Sequence, residues 1–412
     1  MTTPAGSLPA TPPNPPAPAA APARKVVRRS ARRGGLVVVG VVIVVAILIG
    51  VGFGTHWYGL APAGSTSATC PTGVTVAGAG ASFLSALLSN WETSYHAATA
   101  NEVSYDPSGA GAGITSFSES TVDFAATDEP LTSTEVAGLP GTTLTLPVSG
   151  GAVTVVYNIQ GYSGPLNLTV TQLAGIYLGD FTSWNNAALT ANNPGLPDQP
   201  IITVHRSDGA GTTYVLTNFL SNGNATWNTS VGISIQPSSW PTTSGGQEAE
   251  HGNAALAAYV ATTPNTIGYV DLADAESHAL LTAAIQNPSG DYIAPTVANT
   301  QSAINDLAGR SFPSPTDTSG WSGLSWINAP GASDYPLATL SYFLVLQNPG
   351  IGYQPSLAKT TVLVQWLRWA VDDGQSVAAS LYYVSPPAGL LSADLSAIST
   401  VNYNGTSIPT CG

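Results

Sequence analysis

An α/β fold with mainly parallel sheets is predicted for this chain by three observations. Short β-branched runs alternate with helical stretches. Three glycine-rich turns each follow a predicted strand and open a predicted helix. The body is apolar, the chain as a whole being 43% hydrophobic over 412 residues, which is core enough for two domains of ordinary size. No fixed-period repeat interrupts this pattern.

The elements follow in order. Val74–Ala77 reads as a strand, and Gly78-Ala79-Gly80-Ala81 follows it. Ser82 is placed to cap a helix, since Phe83, Leu87, Leu88, Trp91 and Tyr95 recur at helical spacing. Val103–Tyr105 reads as a strand, then a Gly109–Gly113 turn and a short helix. Val122–Ala126 is a strand ending at Thr127-Asp128, and Ile201–His205 is another, with a turn at Arg206–Gly211 and a helix over Thr212–Leu220. Glu248–Val260 is expected to be helical, Ile267–Val270 and Leu337–Leu346 to be strands, and Ser356–Asp373 an amphipathic helix stopped by Gly374. Trp366 and Trp369 on that helix are expected in the core.

Charge divides the molecule. The chain carries 10 Lys+Arg and 23 Asp+Glu, a formal net charge of −13. Six of the cations lie between Arg24 and Arg33, and no acid precedes Glu92. The remainder therefore holds four cations against 23 acids, −19, which repels phosphate backbones and excludes nucleic acid as a partner.

Residues 1–35 read as a disordered, basic cytoplasmic tail, Pro/Ala/Thr-rich over 1–23. Residues 36–54 read as a transmembrane helix, because Leu36–Phe53 is uncharged and, at 1.5 Å per residue, about 27 Å long. The arginines on its N-terminal side place the tail inside and the body outside the cell membrane. His56, Trp57 and Tyr58 sit where an interfacial anchor is expected. The alternative is a cleaved signal peptide, with Ala61-Pro62-Ala63 as the cleavage site and the body secreted. Either way the body is exported. Residues 55–71 form a linker, and Cys70 and Cys411 bracket the body as candidates for a disulfide in an oxidising compartment.

The turns carry the chemistry. GAGASF (78–83), SGAGAGI (108–114) and RSDGAGTT (206–213) each leave the first N–H groups of a helix without internal partners at the positive end of its dipole. At equivalent carboxyl ends of strands they converge on one cleft. None carries a P-loop lysine, and the dinucleotide spacing with its distal acid is absent, so nucleotides are disfavoured. Arg206 heads the third turn and can hold two oxygens of a tetrahedral oxyanion. Asp128 belongs on the same rim. A carboxylate there repels an anion unless the ligand brings a proton, which favours phosphate over sulfate; the alternative is a helix N-cap near Pro130-Leu131.

GAGASF, TVDFAATDEPL (121–131), YLGDFTSWN (177–185), ITVHRSDGAGTTY (202–214) and IGYV (267–270) resemble the phosphate-binding proteins of Pst-type ABC transporters, from about Val74 to about Ile398. The resemblance implies a two-lobed periplasmic-binding-protein fold of type II with two hinge crossovers, near Tyr157 and Tyr335. One lobe would be 72–157 with 337–402, the other 158–336, and 403–412 a C-terminal tail. It implies phosphate contacts from Ser82 and Phe83, a proton acceptor in Asp128, a bidentate clamp in Arg206, and donors in Gly211 and Thr212. Where the family usually has serine this chain has Ala110 and Ala210, so two hydroxyls are lost while the backbone N–H groups are expected to remain. It further implies ABC permease subunits as partners, with no cofactor and no enzymatic step.

The residues agree on the last point. There is no G-x-S-x-G elbow, and His56, His96, His205, His251 and His278 are scattered without metal-ligand spacing. His205 is expected to be a structural residue at a strand end. A surface interaction or sensory protein on the same fold is the competing functional class.

Overall fold

A computed structural model describes residues 70–410. The expected membrane span at 36–54 and Cys411 lie outside the described residues. Among those described, no helix is long and apolar enough to cross a membrane.

The chain begins with β1 (Thr75–Gly80), a 3-10 turn at Ser82–Leu84, and α1 (Ser85–Thr99). It continues through β2 (Glu102–Asp106), α2 (Ala110–Ser118), β3 (Phe124–Thr127) and the short α3 (Ser133–Ala137). β4 (Thr143–Asn158) leads to α4 (Val170–Leu178), β5 (Ile202–Arg206) and α5 (Gly211–Gly223). Then come β6 (Gln247–Glu250), α6 (Asn253–Thr262), β7 (Thr266–Asp271) and α7 (Val297–Leu307). β8 (Ala338–Leu346), α8 (Leu357–Val371) and α9 (Ala388–Ile398) complete the body.

These strands align in the order β2-β1-β3-β8-β4-β7-β5-β6. The outer pairs are parallel, as helical crossovers require. The centre departs from the expected mainly parallel sheet, for β8 is antiparallel to both β3 and β4, and β4 is antiparallel to β7. β4 is the long member. Nine of its first ten residues pair with β8, from Thr143↔Leu346 to Ala152↔Ala338 with Val148 passed over, and Val153–Asn158 pair with β7. One strand thus passes from the first lobe into the second, and the two lobes are stitched together along it. Pro147 and Gly150-Gly151 disguise it in the sequence. The irregular register at Ser341/Tyr342 accommodates this part of the strand.

Other departures have local causes. Gln247–Glu250 is a strand beside β5, and Gly252, at φ 80°, separates it from α6, so the single helix expected there is divided. Ser82 makes no side-chain cap. Residues 297–329, assigned to the second lobe by the resemblance, pack instead on the first. Ile304, Leu307, Trp321 and Trp326 share a cluster with Leu340, Tyr342 and Leu390, and Thr318 donates to the Thr143 carbonyl at 2.9 Å. At the start of the expected C-terminal tail, 403–412, Asn402–Tyr403 pairs with Thr406–Ser407 in a small hairpin.

The core of the first lobe is aromatic. Trp366 is fully buried between Trp91 and Trp369, and Trp91 Nε1 donates to the Gly374 carbonyl at 2.7 Å.

Candidate functional site

The carboxyl ends of the parallel β1 and β3 form the rim of the first lobe, and the carboxyl end of β5 on the second lobe meets it through the turns that follow these strands. The first turn is fixed from beneath. Phe83 buries its ring against Tyr383, and the Tyr383 hydroxyl donates to the Phe83 carbonyl at 2.7 Å. Phe83 can therefore offer the site only its N–H. Ser82 accepts, through Oγ, from the Asn253 N–H at 3.4 Å, a contact from the second lobe.

The second and third turns touch. Gly111 donates to the Gly209 carbonyl at 3.1 Å. Gly109 has φ 100°, and a Cβ there would lie 2.4 Å from Asp208 Oδ2, so only glycine lets the turns close. Gly211 is equally constrained, since its Cβ would fall 2.4 Å from that of Asp128. Asp128, on the first lobe, is thereby pressed against the start of α5 on the second.

Arg206 lies at the end of β5, buried to 2% exposure. Its backbone N–H donates to the Tyr269 hydroxyl at 3.1 Å. Nε donates to Asp208 Oδ1 at 2.7 Å, and the terminal nitrogen on the same edge pairs with Asp208 Oδ2. The other terminal nitrogen donates to Asn253 Oδ1 at 2.6 Å and Thr212 Oγ1 at 3.2 Å. Four of the five guanidinium donors are thus engaged, and Asp208 occupies the bidentate edge. Asn253 passes the network on, donating Nδ2–H to Asp271 Oδ2 at 2.8 Å. Burial raises the Asp208 carboxyl, but the hydrogen bonds and charge of Arg206 outweigh it, and the net result is a lowered pKa. Asp271 is pushed well above the carboxylate range by burial and by Asp274.

Asp128 is also buried, at 2% exposure. Ser341 Oγ–H donates to its Oδ1 at 2.6 Å, and Thr339 Oγ1–H donates to its carbonyl at 3.2 Å. Burial raises Asp128 to about 7 against the opposing pull of Ser341 and Arg206. The N-cap reading is displaced, because Thr132 caps α3 in a reciprocal box with Glu135.

Backbone donors surround this pair. Among the described residues, the N–H groups of Ser82, Phe83, Ala110, Gly211 and Thr212 have no hydrogen-bond acceptor. That of Ala210, expected to be free, donates to the Ile235 carbonyl at 3.0 Å. Ser108 does not replace the missing hydroxyls; its Oγ is directed to the Asp106 carbonyl, 3.5 Å away. Buried N–H groups are rarely left unmade, so five around one arginine form a cradle for an anion.

Sequence reasoning missed Asp208, Asn253, Asp271 and Ser341. Asp208 was legible as the only acid inside a glycine turn, two residues from the arginine it holds. Asn253 and Ser341 come from distant segments and gave no signal. His205 stacks on Trp240 with centroids 4.6 Å apart, and its Nδ1–H donates to the Arg206 carbonyl at 3.0 Å, so it supports the arginine strand. Burial lowers its pKa. No group of His, Cys, Asp and Glu able to hold a metal occurs among the described residues.

Two lobes bridged by a central strand, with helix starts converging between them, define a solute-binding protein of the periplasmic class. Residues 65–373 match the PBP superfamily domain. The phosphate-binding protein PstS of Xylella fastidiosa (strain 9a5c) is 35% identical over 330 residues, covering 77% of this chain and 83% of that protein. PstS of Methanocaldococcus jannaschii is 31% identical over 316 residues, 74% of this chain and 80% of that protein. Among solved structures, the phosphate-binding protein from Stenotrophomonas maltophilia superposes with a TM-score of 0.61 at 21% identity, covering 82% of this chain and all of that one. The chain belongs to the PstS family of phosphate-binding proteins within that superfamily, a family of carriers rather than enzymes.

Proposed function

We propose that the exported body captures inorganic phosphate between its lobes and delivers it to an ABC permease. The observation that carries this reading is the set of five acceptor-less N–H groups, from Ser82, Phe83, Ala110, Gly211 and Thr212, around Arg206 and Asp128. Hydrogen bonds to a charged group contribute about 1.5–3 kcal/mol each. Arg206 supplies charge and the one N–H that Asp208, Asn253 and Thr212 leave unpaired, and Asp128 accepts the proton of a protonated oxyanion. The lobes close because the ligand contacts both, a population shift set by differential affinity. The residues from 72 to about 152 and from about 297 to 402 form one lobe, and those between form the other.

The cytoplasmic tail and the helix at 36–54 tether the body to the cell membrane. A disulfide between Cys70 and Cys411 would close the body on itself. Pro71 accepts from Asn101 Nδ2 at 3.0 Å, while Pro409 and Thr410 line a cavity with Ala98 and Thr99, so the segments next to the two cysteines approach the same end of α1. Ala110 and Ala210 favour a second reading, a surface sensor on this fold with weakened oxyanion binding.

Calorimetric titration of the body with phosphate tests the proposal. Saturable binding at one site per chain is expected, and its absence at millimolar phosphate overturns it. Cotransport assays with a neighbouring permease, with and without residues 1–54, test delivery and tethering.

A further inference from the structure

The segment 231–246 leads into β6 with no helix or strand of its own, a length at which irregular connections are usually functional. It is fastened to the third turn and to α5. The Ala210 N–H donates to the Ile235 carbonyl at 3.0 Å, and Gln236 Nε2 donates to the Ser207 carbonyl at 2.7 Å. The Ser234 N–H donates to Thr217 Oγ1 at 3.0 Å, and that hydroxyl returns to the Ser234 carbonyl at 2.9 Å. These partners all belong to the second lobe, so the segment moves with it. Toward the first lobe it presents Ile235. A Cβ on Gly111, at the start of α2, would lie 3.3 Å from Ile235 Cδ1, and a Cβ on Gly209 would lie 3.2 Å from the same atom. The tip of one side chain thus rests on both turns, beside the hydrogen bond from the Gly111 N–H to the Gly209 carbonyl that joins the lobes.

We propose that Ile235 is an affinity-determining residue of the phosphate site, whose side chain seats on Gly111 when the lobes close and so sets how long the ligand is held. The inference rests on the phosphate reading above. Ile235 and Gly209 lie on the second lobe and Gly111 on the first, so opening parts Cδ1 from Gly111 while leaving it against Gly209. The contact therefore belongs to the closed state, and whatever it contributes slows the release of a ligand that closure encloses. Apolar burial supplies the contribution. The same tip keeps water from the Gly111–Gly209 hydrogen bond, which is stronger where water is excluded. Glycine in both turns admits it; a methyl on either would crowd it. In a site where Ala110 and Ala210 supply no hydroxyl, such a contact offsets part of the missing polar grip.

The size follows from the atoms involved. Each methylene withdrawn from water shifts an equilibrium about fourfold. Ile235→Val removes Cδ1, the atom nearest Gly111, and Ile235→Ala removes two carbons more. Phosphate should bind about fourfold more weakly to the first variant and about 5- to 20-fold more weakly to the second. Because the contact forms after the ligand has entered, the loss should appear in the dissociation rate, with the association rate within about twofold of the unsubstituted chain.

The test measures both rates on the full chain, by tryptophan fluorescence on rapid mixing with phosphate and by chasing bound radiolabelled phosphate with unlabelled phosphate. Release that quickens from the unsubstituted chain to Ile235→Val to Ile235→Ala, at an unchanged association rate, is expected. A second substitution separates a contact across the lobes from simple support of the third turn. Gly111→Ala sets a methyl against Cδ1 and should weaken binding. Within Ile235→Ala the same methyl has room, and its effect should be at least about threefold smaller. Release rates that neither substitution changes, a loss confined to the association rate, or additive effects of Gly111→Ala and Ile235→Ala overturn the inference and leave phosphate binding intact. No saturable binding by the unsubstituted chain overturns both.

Discussion

The two faces of the cleft solve the anion problem in opposite ways. The first lobe offers bare N–H groups from Ser82, Phe83 and Ala110, with two acids, Asp128 and Glu129, that burial favours in the neutral form. The second offers a fixed cation, held by Asp208, Asn253 and Thr212 before any ligand arrives. One face is prepared by geometry and protonation, the other by a charge network. Net charge therefore says little about the ligand. A body of −19 can hold an anion because every contact is short-range, buried and local.

The largest expected effect comes from breaking the network face. Arg206→Ala leaves the half-buried Asp208 without its partner, so a stability loss of about 1.5–3 kcal/mol is expected, together with loss of detectable phosphate binding. Chemical denaturation and calorimetry on the same preparation check both.

On the other face, Asp128→Asn removes the group that repels an unprotonated oxyanion. Phosphate affinity should fall about 10- to 100-fold, one charged hydrogen bond, and sulfate should become a competitor. The wild-type protein should approach this behaviour below pH 7, because Asp128 is raised to about 7 and its protonated form no longer repels sulfate. Sulfate competition against phosphate at pH 5 and pH 8 measures it.

Stability should carry the mark of the buried acids elsewhere. Both carboxyl oxygens of Asp394, on α9, are enclosed without a partner, and burial pushes it well above the carboxylate range. Its folded-state pKa exceeds its unfolded one, so its contribution is complete below about pH 4 and declines as pH rises. Asp128, Glu129 and Asp271 act in the same direction, and Asp208 in the opposite one. Unfolding midpoints should therefore rise from pH 7 to about pH 4. Asp394→Asn should stabilise the protein at pH 7 by about 1–3 kcal/mol and flatten that slope.

The smallest effect tests the missing hydroxyls. Ala110→Ser adds a donor beside a free N–H and should tighten phosphate up to about tenfold. Ala210→Ser, whose N–H already bonds Ile235, should tighten it less. An equal gain at both positions would contradict the asymmetry between the faces.

The sequence alone determined what depends on neighbours along the chain. A strand, a glycine turn and a helix start are local events, so all three turns, Arg206 and the rim position of Asp128 were legible. The helix expected at Glu248–Val260 failed for a similarly local reason, the positive φ of Gly252. Tertiary structure alone decided the rest. Tyr157 was placed at a crossing, but not as part of a 16-residue strand, because Pro147 and two glycines read as a turn until β8 pairs with them. Asn253 joins Arg206 across 47 residues and Ser341 joins Asp128 across 213, and no spacing encodes such meetings. The state of the acids was equally invisible. A carboxyl's proton depends on how much water and which partners surround it, and both are fixed only when the lobes come together.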